Sequence, residues 1–256
     1  MAKKALAVIS FGTSYPEARA AIEHIEATLA AALPDHDFYR AFTSGMIIRK
    51  IEREEGIRIP TPEQLFEQLA AQGYDEVLCQ SLHVIPGNEY DKMCAQIAPH
   101  VSRFAHLRIG KPLLWEQQDY MQCCQSLLTH MPALAQDEAF VFMGHGTDHF
   151  SNASYALAEN TFRALGAERV YVGTVEGFPD FDYLAGRLRA HKVRRVYLAP
   201  FMIVAGDHAQ NDLAGDDAES WKSMLHAQGY ETEVLLRGLG EYPEIAAQFT
   251  MHLAQA

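Results

Sequence analysis

Short apolar runs of strand length alternate along the whole chain with longer runs that have helical periodicity. Residues 5–11 form the first apolar run, and residues 16–33 then repeat apolar side chains every three or four positions. Because the connections between such runs are short, consecutive strands are expected to lie parallel, with helices covering both faces of the sheet. The sequence therefore predicts an α/β fold built on parallel sheets.

The same alternation predicts the remaining elements. Further strands are expected over residues 37–42, 76–82, 107–109, 139–144, 169–174, 195–201 and 233–236. Helices are expected over residues 44–55, from 61, from 87, over 152–165 and 181–191, around Trp221, and over 242–254. Thr61 followed by Pro62 is typical of a helix start, since threonine caps the helix and proline fits its first position.

A linker-like stretch divides the chain into two parts with the same alternating pattern. It covers residues 110–118 and contains Pro112. We expect one α/β domain over residues 1–115 and a second over 116–256, with two placements open for the closing helix 242–254: on its own domain or back on the first. The two parts resemble each other at their strand ends, which indicates duplication, although βα turns of unrelated open sheets also look alike.

Composition excludes several classes of function. The 256 residues carry 33 acidic and 21 basic side chains, a formal net charge of −12. Such a chain is a poor candidate for binding nucleic acid or an anionic membrane surface. No segment reaches the ~18 apolar residues of a spanning helix, and the amino-terminal apolar run is interpreted as a buried strand, not a signal peptide. The four cysteines have no C-x-x-C spacing, which favours a reducing, cytoplasmic location without disulfides.

Polar residues follow three successive strands in the second part. His145, Glu176 and His208 stand at or beyond these strand ends, where ligands bind in open parallel sheets. Two imidazoles and a carboxylate predict a divalent-metal site with open positions, and cobalt, iron, nickel and zinc all fit these donors. The same groups can accept protons. A single histidine at a strand end more often caps a helix or packs in the core than binds a metal. With three candidates at three strand ends, a shared metal site and that structural alternative are about equally well supported.

The strand ends of the first part supply candidates for contact with a substrate. These candidates are Phe11, Gly12, Thr13, Ser14, Ser44, Met46, Arg49, Lys50 and His83. Glycine turns present backbone amides to anions, basic side chains pair with carboxylates, and Phe and Met can line a flat apolar ligand. The alternatives are a plain tight turn, a solvated helix face and core packing. Neither a dinucleotide fingerprint nor a P-loop is present, and His149 is expected at the pocket rim.

Five segments resemble a known enzyme family. They read ALAVISFGTS (5–14), RAFTSGMIIRK (40–50), QSLHVIPGNEY (80–90), VFMGHG (141–146) and VAGDHAQNDLAGDD (204–217). The sequence is similar, through nearly its whole length, to the anaerobic sirohydrochlorin cobaltochelatases of the class II chelatase superfamily, which includes ferrochelatase. The resemblance implies two Rossmann-like domains with an active-site cleft between them.

The resemblance also implies an activity and residue roles. The activity is ATP-independent insertion of Co(II) into sirohydrochlorin, or its precursor precorrin-2, with release of two protons, early in anaerobic cobalamin biosynthesis. By matching position, His145 is the principal catalytic histidine and a metal ligand, Glu176 the acidic ligand and His208 the second histidine. Glu89 matches a further acidic catalytic position. No organic cofactor is expected; the partners are a tetrapyrrole and a divalent metal, with Fe(II) or Ni(II) as alternatives in vitro.

Three other functions stay open at this point. The first is an iron chelatase for sirohaem or a nickel-inserting relative, because the donor types do not separate these metals. The second is a carrier that binds metal or tetrapyrrole without chemistry. The third is a metal-dependent hydrolase, for which no phosphate-binding motif is present. Symmetric self-association is expected only because it is common among soluble enzymes.

Overall fold

Two compact units make up the computed structural model, which describes residues 3–256. The first unit comprises the described residues up to Trp115 together with Gly240–Ala256, and the second comprises Glu116–Leu239. The closing helix thus belongs to the first unit, which is one of the two placements that the sequence left open. Within this described part, no helix is both long and apolar enough to cross a membrane.

The first unit is a parallel sheet with helices on its faces. Its elements in chain order are β1 (Lys4–Ser10), α1 (Pro16–Ala32), β2 (Asp37–Phe42), α2 (Gly45–Glu55), α3 (Pro62–Ala71), β3 (Glu76–Ser81), α4 (Asn88–Ile97), a 3₁₀ turn (Ala98–Arg103) and β4 (His106–Gly110). The strand order is β2-β1-β3-β4, and every neighbouring pair is parallel. Apolar side chains of β1 and β3 pack with those of α3 and α4 in one buried cluster.

The second unit repeats this architecture. It contains α5 (Gln117–Leu128), β5 (Glu138–Gly144), α6 (Ala153–Ala164), β6 (Val170–Thr174), α7 (Phe181–Ala190), β7 (Arg195–Pro200), α8 (Trp221–Ala227) and β8 (Glu231–Val234), with a 3₁₀ turn before α6 (Phe150–Asn152) and a π-helical turn before α8 (Ala209–Leu213). The strand order β6-β5-β7-β8 is again fully parallel. The closing helix α9 (Pro243–Gln255) packs on α1, β3 and β4 of the first unit. The predicted class, two similar parallel α/β domains, is confirmed.

Matching hydrogen bonds beyond the strand ends show how closely the units correspond. In each unit the chain after the second strand bonds twice to the chain at the end of the first strand. The pairs are Thr43 N to Ser10 O (2.9 Å) with Val175 N to Gly144 O (3.0 Å), and Ser44 N to Phe11 O (3.3 Å) with Glu176 N to His145 O (2.7 Å). Phe11 therefore occupies the position of His145, and Ser44 occupies the position of Glu176.

The stretch interpreted as a linker is packed, and the helix after it was not predicted. The two units divide between Trp115 and Glu116, inside residues 110–118, but Leu113 and Leu114 are buried, and their amides donate hydrogen bonds of 2.9 Å to the carbonyl oxygens of His83 and Val84. Helix α5 was missed, although buried Tyr120, Cys123, Cys124 and Leu127 have helical spacing. The apolar spacing of α5 was present in the sequence, but the proline-containing stretch before it suggested a break.

Two expected elements are also displaced. The single helix expected around Trp221 is divided into the π-helical turn Ala209–Leu213 and the short helix α8. The last strand, expected over residues 233–236, is Glu231–Val234 instead, because it pairs with β7 in the register that sets Glu231 opposite Arg195.

Candidate metal centre

Three loops at the carboxyl edge of the second sheet carry the predicted ligands. His145 directly follows β5, Glu176 comes two residues after β6, and His208 lies beyond β7. Strand β5 stands between β6 and β7, so the chain reverses its strand order here and leaves the three loops side by side. One ligand atom from each residue lies within 4.8 Å of the others.

The separation suits loading of an ion with small adjustments. Ligand atoms on one tetrahedral ion lie about 3.3–3.6 Å apart, given metal–ligand bonds of about 2.0–2.2 Å, so side-chain movements of about an ångström bring the three ligand atoms within bonding distance of one ion. The His145 and Glu176 side chains are 45% and 63% exposed, and that of His208 is 31% exposed. An ion can therefore reach these groups from solvent, and an ion bound here stays accessible to solvent.

A backbone carbonyl determines which ring nitrogen of His145 is available. Its Nδ1 lies 2.9 Å from the carbonyl oxygen of Gly146. Because a carbonyl oxygen only accepts, Nδ1 carries the proton and Nε2 keeps the lone pair in the neutral ring. The His145 ring stands edge-on to that of His208, with centroids 4.6 Å apart and planes at 88°. Nε2 is therefore the donor that His145 offers to a metal.

A carboxylate does the same for His208. The His208 Nδ1 lies 2.6 Å from Oδ2 of Asp212, four residues later in the π-helical turn. An ionised carboxylate accepts hydrogen bonds, so Nδ1 carries the ring proton and donates it to Asp212. Nε2 again keeps the lone pair that can bind a metal. Histidines that bind metals usually donate their other ring N–H to a carboxylate or carbonyl in this way. Both histidines of the centre thus have the arrangement expected of metal ligands.

Gly146 allows the first two loops to approach closely. Its φ is +83°, and a Cβ added there would lie 2.2 Å from the carbonyl oxygen of Glu176. The Glu176 amide in turn donates to the His145 carbonyl oxygen at 2.7 Å. Only glycine combines this left-handed conformation with such close backbone contact.

Asn152 connects the same two loops through its side chain. Its oxygen accepts from the amide of Thr147 at 3.0 Å, and its nitrogen donates to the carbonyl oxygen of Phe178 at 2.6 Å. Thr147 lies just after His145, and Phe178 lies just after Glu176. The Asn152 side chain thus fixes the loops that carry His145 and Glu176 relative to each other. Beneath them, burial raises the pKa of Tyr155 to about 12, so its hydroxyl stays protonated.

The first unit has different side chains at the equivalent positions. Phe11 is 43% exposed, and the Ser44 hydroxyl accepts from the amide of Ile47 at 3.4 Å to cap α2. Glu89, at the start of α4, lies 3.4 Å from the Lys92 ammonium, which also donates to the Thr43 carbonyl oxygen at 2.7 Å. Side chains of the types that bind metals therefore occupy the first two loop positions in the second unit and not in the first.

The predicted substrate contacts lie at the carboxyl edge of the first sheet. Gly12, Thr13 and Ser14 form the turn after β1, with Gly12 and Thr13 buried and Ser14 half-buried. Met46, Arg49 and Lys50 project from α2, and Met46 is 65% exposed.

The basic side chains of α2 differ in their contacts. The Lys50 ammonium lies 5.5 Å above the Tyr15 ring, and Arg53 pairs with Glu54 at 2.9 Å. Arg49 is exposed and makes no ion pair within residues 3–256. Arg49 is therefore the basic side chain of this helix best available to an anionic ligand.

His83 differs from the other candidates in being buried. Its Nδ1 lies 2.8 Å from the Ser81 hydroxyl, and its Nε2 has no hydrogen-bond partner in the described part of the chain. Burial lowers the pKa of His83 to about 4, an effect that the nearby Glu89 carboxylate opposes. The ring is therefore neutral at neutral pH and is a poor direct partner for a carboxylate.

Two residues of the centre were missed from the sequence. Asp212 had a detectable signal, because His208 and Asp212 have the i, i+4 spacing that brings side chains together on a helical turn. Asn152 had none, since its two partners belong to loops that meet only in the folded sheet.

Comparisons with known proteins identify the family. Residues 4–256 match the family model described as cobalt chelatase (CbiK). The sequence is 48% identical over 255 residues to a sirohydrochlorin cobaltochelatase of Salmonella typhimurium, covering 99% of this chain and 96% of that protein. It is 32% identical over 263 residues to the sirohydrochlorin cobaltochelatase CbiKC of Nitratidesulfovibrio vulgaris, covering 100% and 91%.

One solved structure supports the fold at lower sequence identity. SirB from Bacillus subtilis with Fe3+ superimposes with a TM-score of 0.67 at 14% identity, covering 99% of this chain and 95% of that one. At this identity the likeness bears on the fold alone. The family assignment rests on the full-length sequence matches, and by them the chain belongs to the CbiK cobalt chelatase family.

Proposed function

We propose that this protein inserts Co(II) into sirohydrochlorin and that His145, Glu176 and His208 receive the ion. Chelation of cobalt is the activity of the family, and both full-length relatives carry the name sirohydrochlorin cobaltochelatase. The observation that carries the residue assignment is the convergence of two imidazoles and one carboxylate within 4.8 Å. The donor set suits a divalent transition metal.

The chemistry requires the ion to be held and then released. Nitrogen and oxygen donors can replace part of the hydration shell of Co(II) without the strong thiolate bonds of a structural site. The exposure of all three side chains suits such a transient site. When the ion moves into the macrocycle, the Nε2 lone pairs of His145 and His208 become free again.

Two protons must leave the tetrapyrrole as Co(II) enters, so that the charge of the product balances. We assign His145 as the first acceptor, because its Nε2, which has no proton in the neutral ring, can take one after it releases the ion. Glu89 is the proposed acceptor of the second proton. The half-buried Glu89 carboxylate has Lys92 as its neighbour at 3.4 Å.

Contacts to the macrocycle are proposed at the exposed candidates of the first unit. Phe11 and Met46 offer apolar surface, and Arg49 and Lys50 offer positive charge to the substrate carboxylates in an acidic protein. The turn Gly12-Thr13-Ser14 and Ser44 lie along the same sheet edge and are proposed as backbone and hydroxyl contacts.

The test is an anaerobic assay of the purified protein with sirohydrochlorin and, in separate reactions, Co(II), Fe(II) and Ni(II), without ATP. Metallation is followed by the change in tetrapyrrole absorbance. We expect turnover with Co(II). Binding of the tetrapyrrole without metallation would identify a carrier instead, and faster turnover with Fe(II) would identify an iron chelatase. The same assay with precorrin-2 decides which macrocycle is preferred.

A further inference from the structure

We propose that Asp212 is a positioning residue that presents His208 Nε2 to the incoming metal. The inference rests on the proposed function of His208 and adds a residue to it. Asp212 would act through the imidazole and would not itself touch the ion. Its carboxylate accepts the Nδ1–H of His208 at 2.6 Å.

The two histidines of the centre are held by acceptors of different kinds. His145 donates to a backbone carbonyl, which is neutral and present whatever the side chain. His208 donates to a carboxylate, and charge-assisted hydrogen bonds of this kind are shorter and stronger than neutral ones. A carboxylate also makes the opposite ring nitrogen a better donor to a metal. His208 therefore depends on one replaceable side chain for its orientation and for its donor strength.

The π-helical turn that carries Asp212 and begins just after His208 is itself restrained. Ala214 bonds back to Ala209 at 3.2 Å, a π-helical contact, and such turns occur frequently at functional sites. Leu213, next to Asp212, is fully buried and anchors the turn. A Cβ at Gly215 would lie 2.3 Å from the Asn211 carbonyl oxygen, so the chain returns tightly past this point. Asp212 is thus held where its carboxylate meets His208, and within residues 3–256 His208 is the side chain bonded to that carboxylate.

The first measurement reads the ring proton directly in the metal-free protein. Nitrogen-15 NMR of labelled histidine, at an alkaline pH where imidazoles are neutral, distinguishes a proton on Nδ1 from one on Nε2. We expect the Nδ1–H form for His208 in the wild-type chain. In Asp212→Ala the signal should move toward the Nε2–H form, which free imidazole side chains prefer. Asp212→Asn keeps an oxygen acceptor and should retain the Nδ1–H form.

The second measurement uses Co(II) alone, without tetrapyrrole. Asp212→Ala should weaken Co(II) binding by about 10–100-fold and shift the visible absorption of the bound ion, with Asp212→Asn between it and the wild type. The KM for the tetrapyrrole should stay unchanged in the metallation assay. Asp216→Ala is the matched control, because Asp216 lies in the same segment and pairs only with Lys222 among the described residues; it should behave as wild type.

The outcomes separate this proposal from the function on which it rests. Unchanged Co(II) affinity in Asp212→Ala overturns the positioning role, and so does an equal loss in Asp216→Ala. His208→Ala is measured alongside. If His208→Ala leaves Co(II) affinity unchanged, the ligand assignment itself fails. If His208→Ala weakens binding and Asp212→Ala does not, only the role of Asp212 fails.

Discussion

The amide of Glu176 donates a 2.7 Å hydrogen bond to the carbonyl oxygen of His145, so two proposed metal ligands are joined through their backbones. The same bond in the first unit, from Ser44 to Phe11, is 3.3 Å long. The scaffold that brings two loops together is therefore present in both units. Its side chains suit metal binding in the second unit and an apolar, hydroxyl-bearing surface in the first.

Replacing His145 with alanine should remove most of the metallation activity without unfolding the protein. The side chain is 45% exposed and contributes little to the core. Loss of a positioned proton acceptor typically costs about 10²–10⁴-fold in rate. The measurement is turnover with Co(II) and sirohydrochlorin, with thermal unfolding as a check on folding. His226→Ala, an exposed histidine bonded to Thr232, serves as control. Near-wild-type turnover in His145→Ala would refute the role.

Replacing Glu176 with glutamine should weaken Co(II) binding by about 10-fold or more, because an amide oxygen is a poorer ligand than a carboxylate. The change keeps the size of the side chain, and the Glu176 backbone bonds do not depend on it. Titration with Co(II) alone measures the effect. Glu168→Gln, at an exposed position of the same unit, should leave the affinity unchanged. Equal affinities for all three proteins would remove Glu176 from the site.

Gly146→Ala should destabilise the second unit far more than Gly166→Ala. Both glycines have nearly the same positive φ, +83° and +85°, so both variants incur the backbone cost of about 1–2 kcal/mol. Only at Gly146 would the new Cβ meet the Glu176 carbonyl oxygen, at 2.2 Å; nothing lies within 4 Å at Gly166. Denaturant unfolding and Co(II) titration of both variants measure the steric cost at Gly146 separately from the backbone cost that the two variants share. Similar losses in both variants would show that close approach is unimportant.

Asn152→Ala should loosen the loops that carry His145 and Glu176. The variant loses two side-chain hydrogen bonds and leaves the Phe178 carbonyl oxygen and the Thr147 amide without this partner, a cost of about 1–3 kcal/mol. We expect a lower free energy of unfolding together with weaker Co(II) binding. Asn160→Ala, on the exposed face of α6, is the control. A drop in stability with unchanged Co(II) affinity would argue against a role in holding the ligands.

Acidification should destabilise the protein partly through His83. Burial lowers the pKa of His83 from 6.5 to about 4, so the folded state favours the neutral ring. The contribution to stability is therefore complete above about pH 6.5 and is lost as the pH falls toward 4. A shift of this size corresponds to about 3 kcal/mol.

The test compares the free energies of unfolding of wild type and His83→Gln at about pH 7 and pH 4.5. The loss on acidification should be smaller in the variant. His226→Gln, at an exposed position, should retain the wild-type difference. If His83→Gln loses as much stability as wild type on acidification, the buried ring is not responsible.

Local patterns predicted much of this protein because they depend on neighbours along the chain. Apolar alternation located β1 and β5, and polar residues at or just beyond strand ends identified His145 and Glu176 as candidates. Helix α5 had the required apolar spacing too, but Pro112 and the polar residues around it suggested a linker. That segment is ordered because Leu113 and Leu114 bond to the chain after β3, a contact between residues far apart in sequence.

By itself, the sequence determined the α/β class, the strand ends that carry polar groups and, through its resemblance, the family. Tertiary structure alone decided that β5 lies between β6 and β7, and so brought His145, Glu176 and His208 within 4.8 Å. It also placed α9 in the first unit and made Asn152 a link between two loops. The physical reason is that strand order and loop contacts depend on packing between distant segments, whereas periodicity and turn preferences are local.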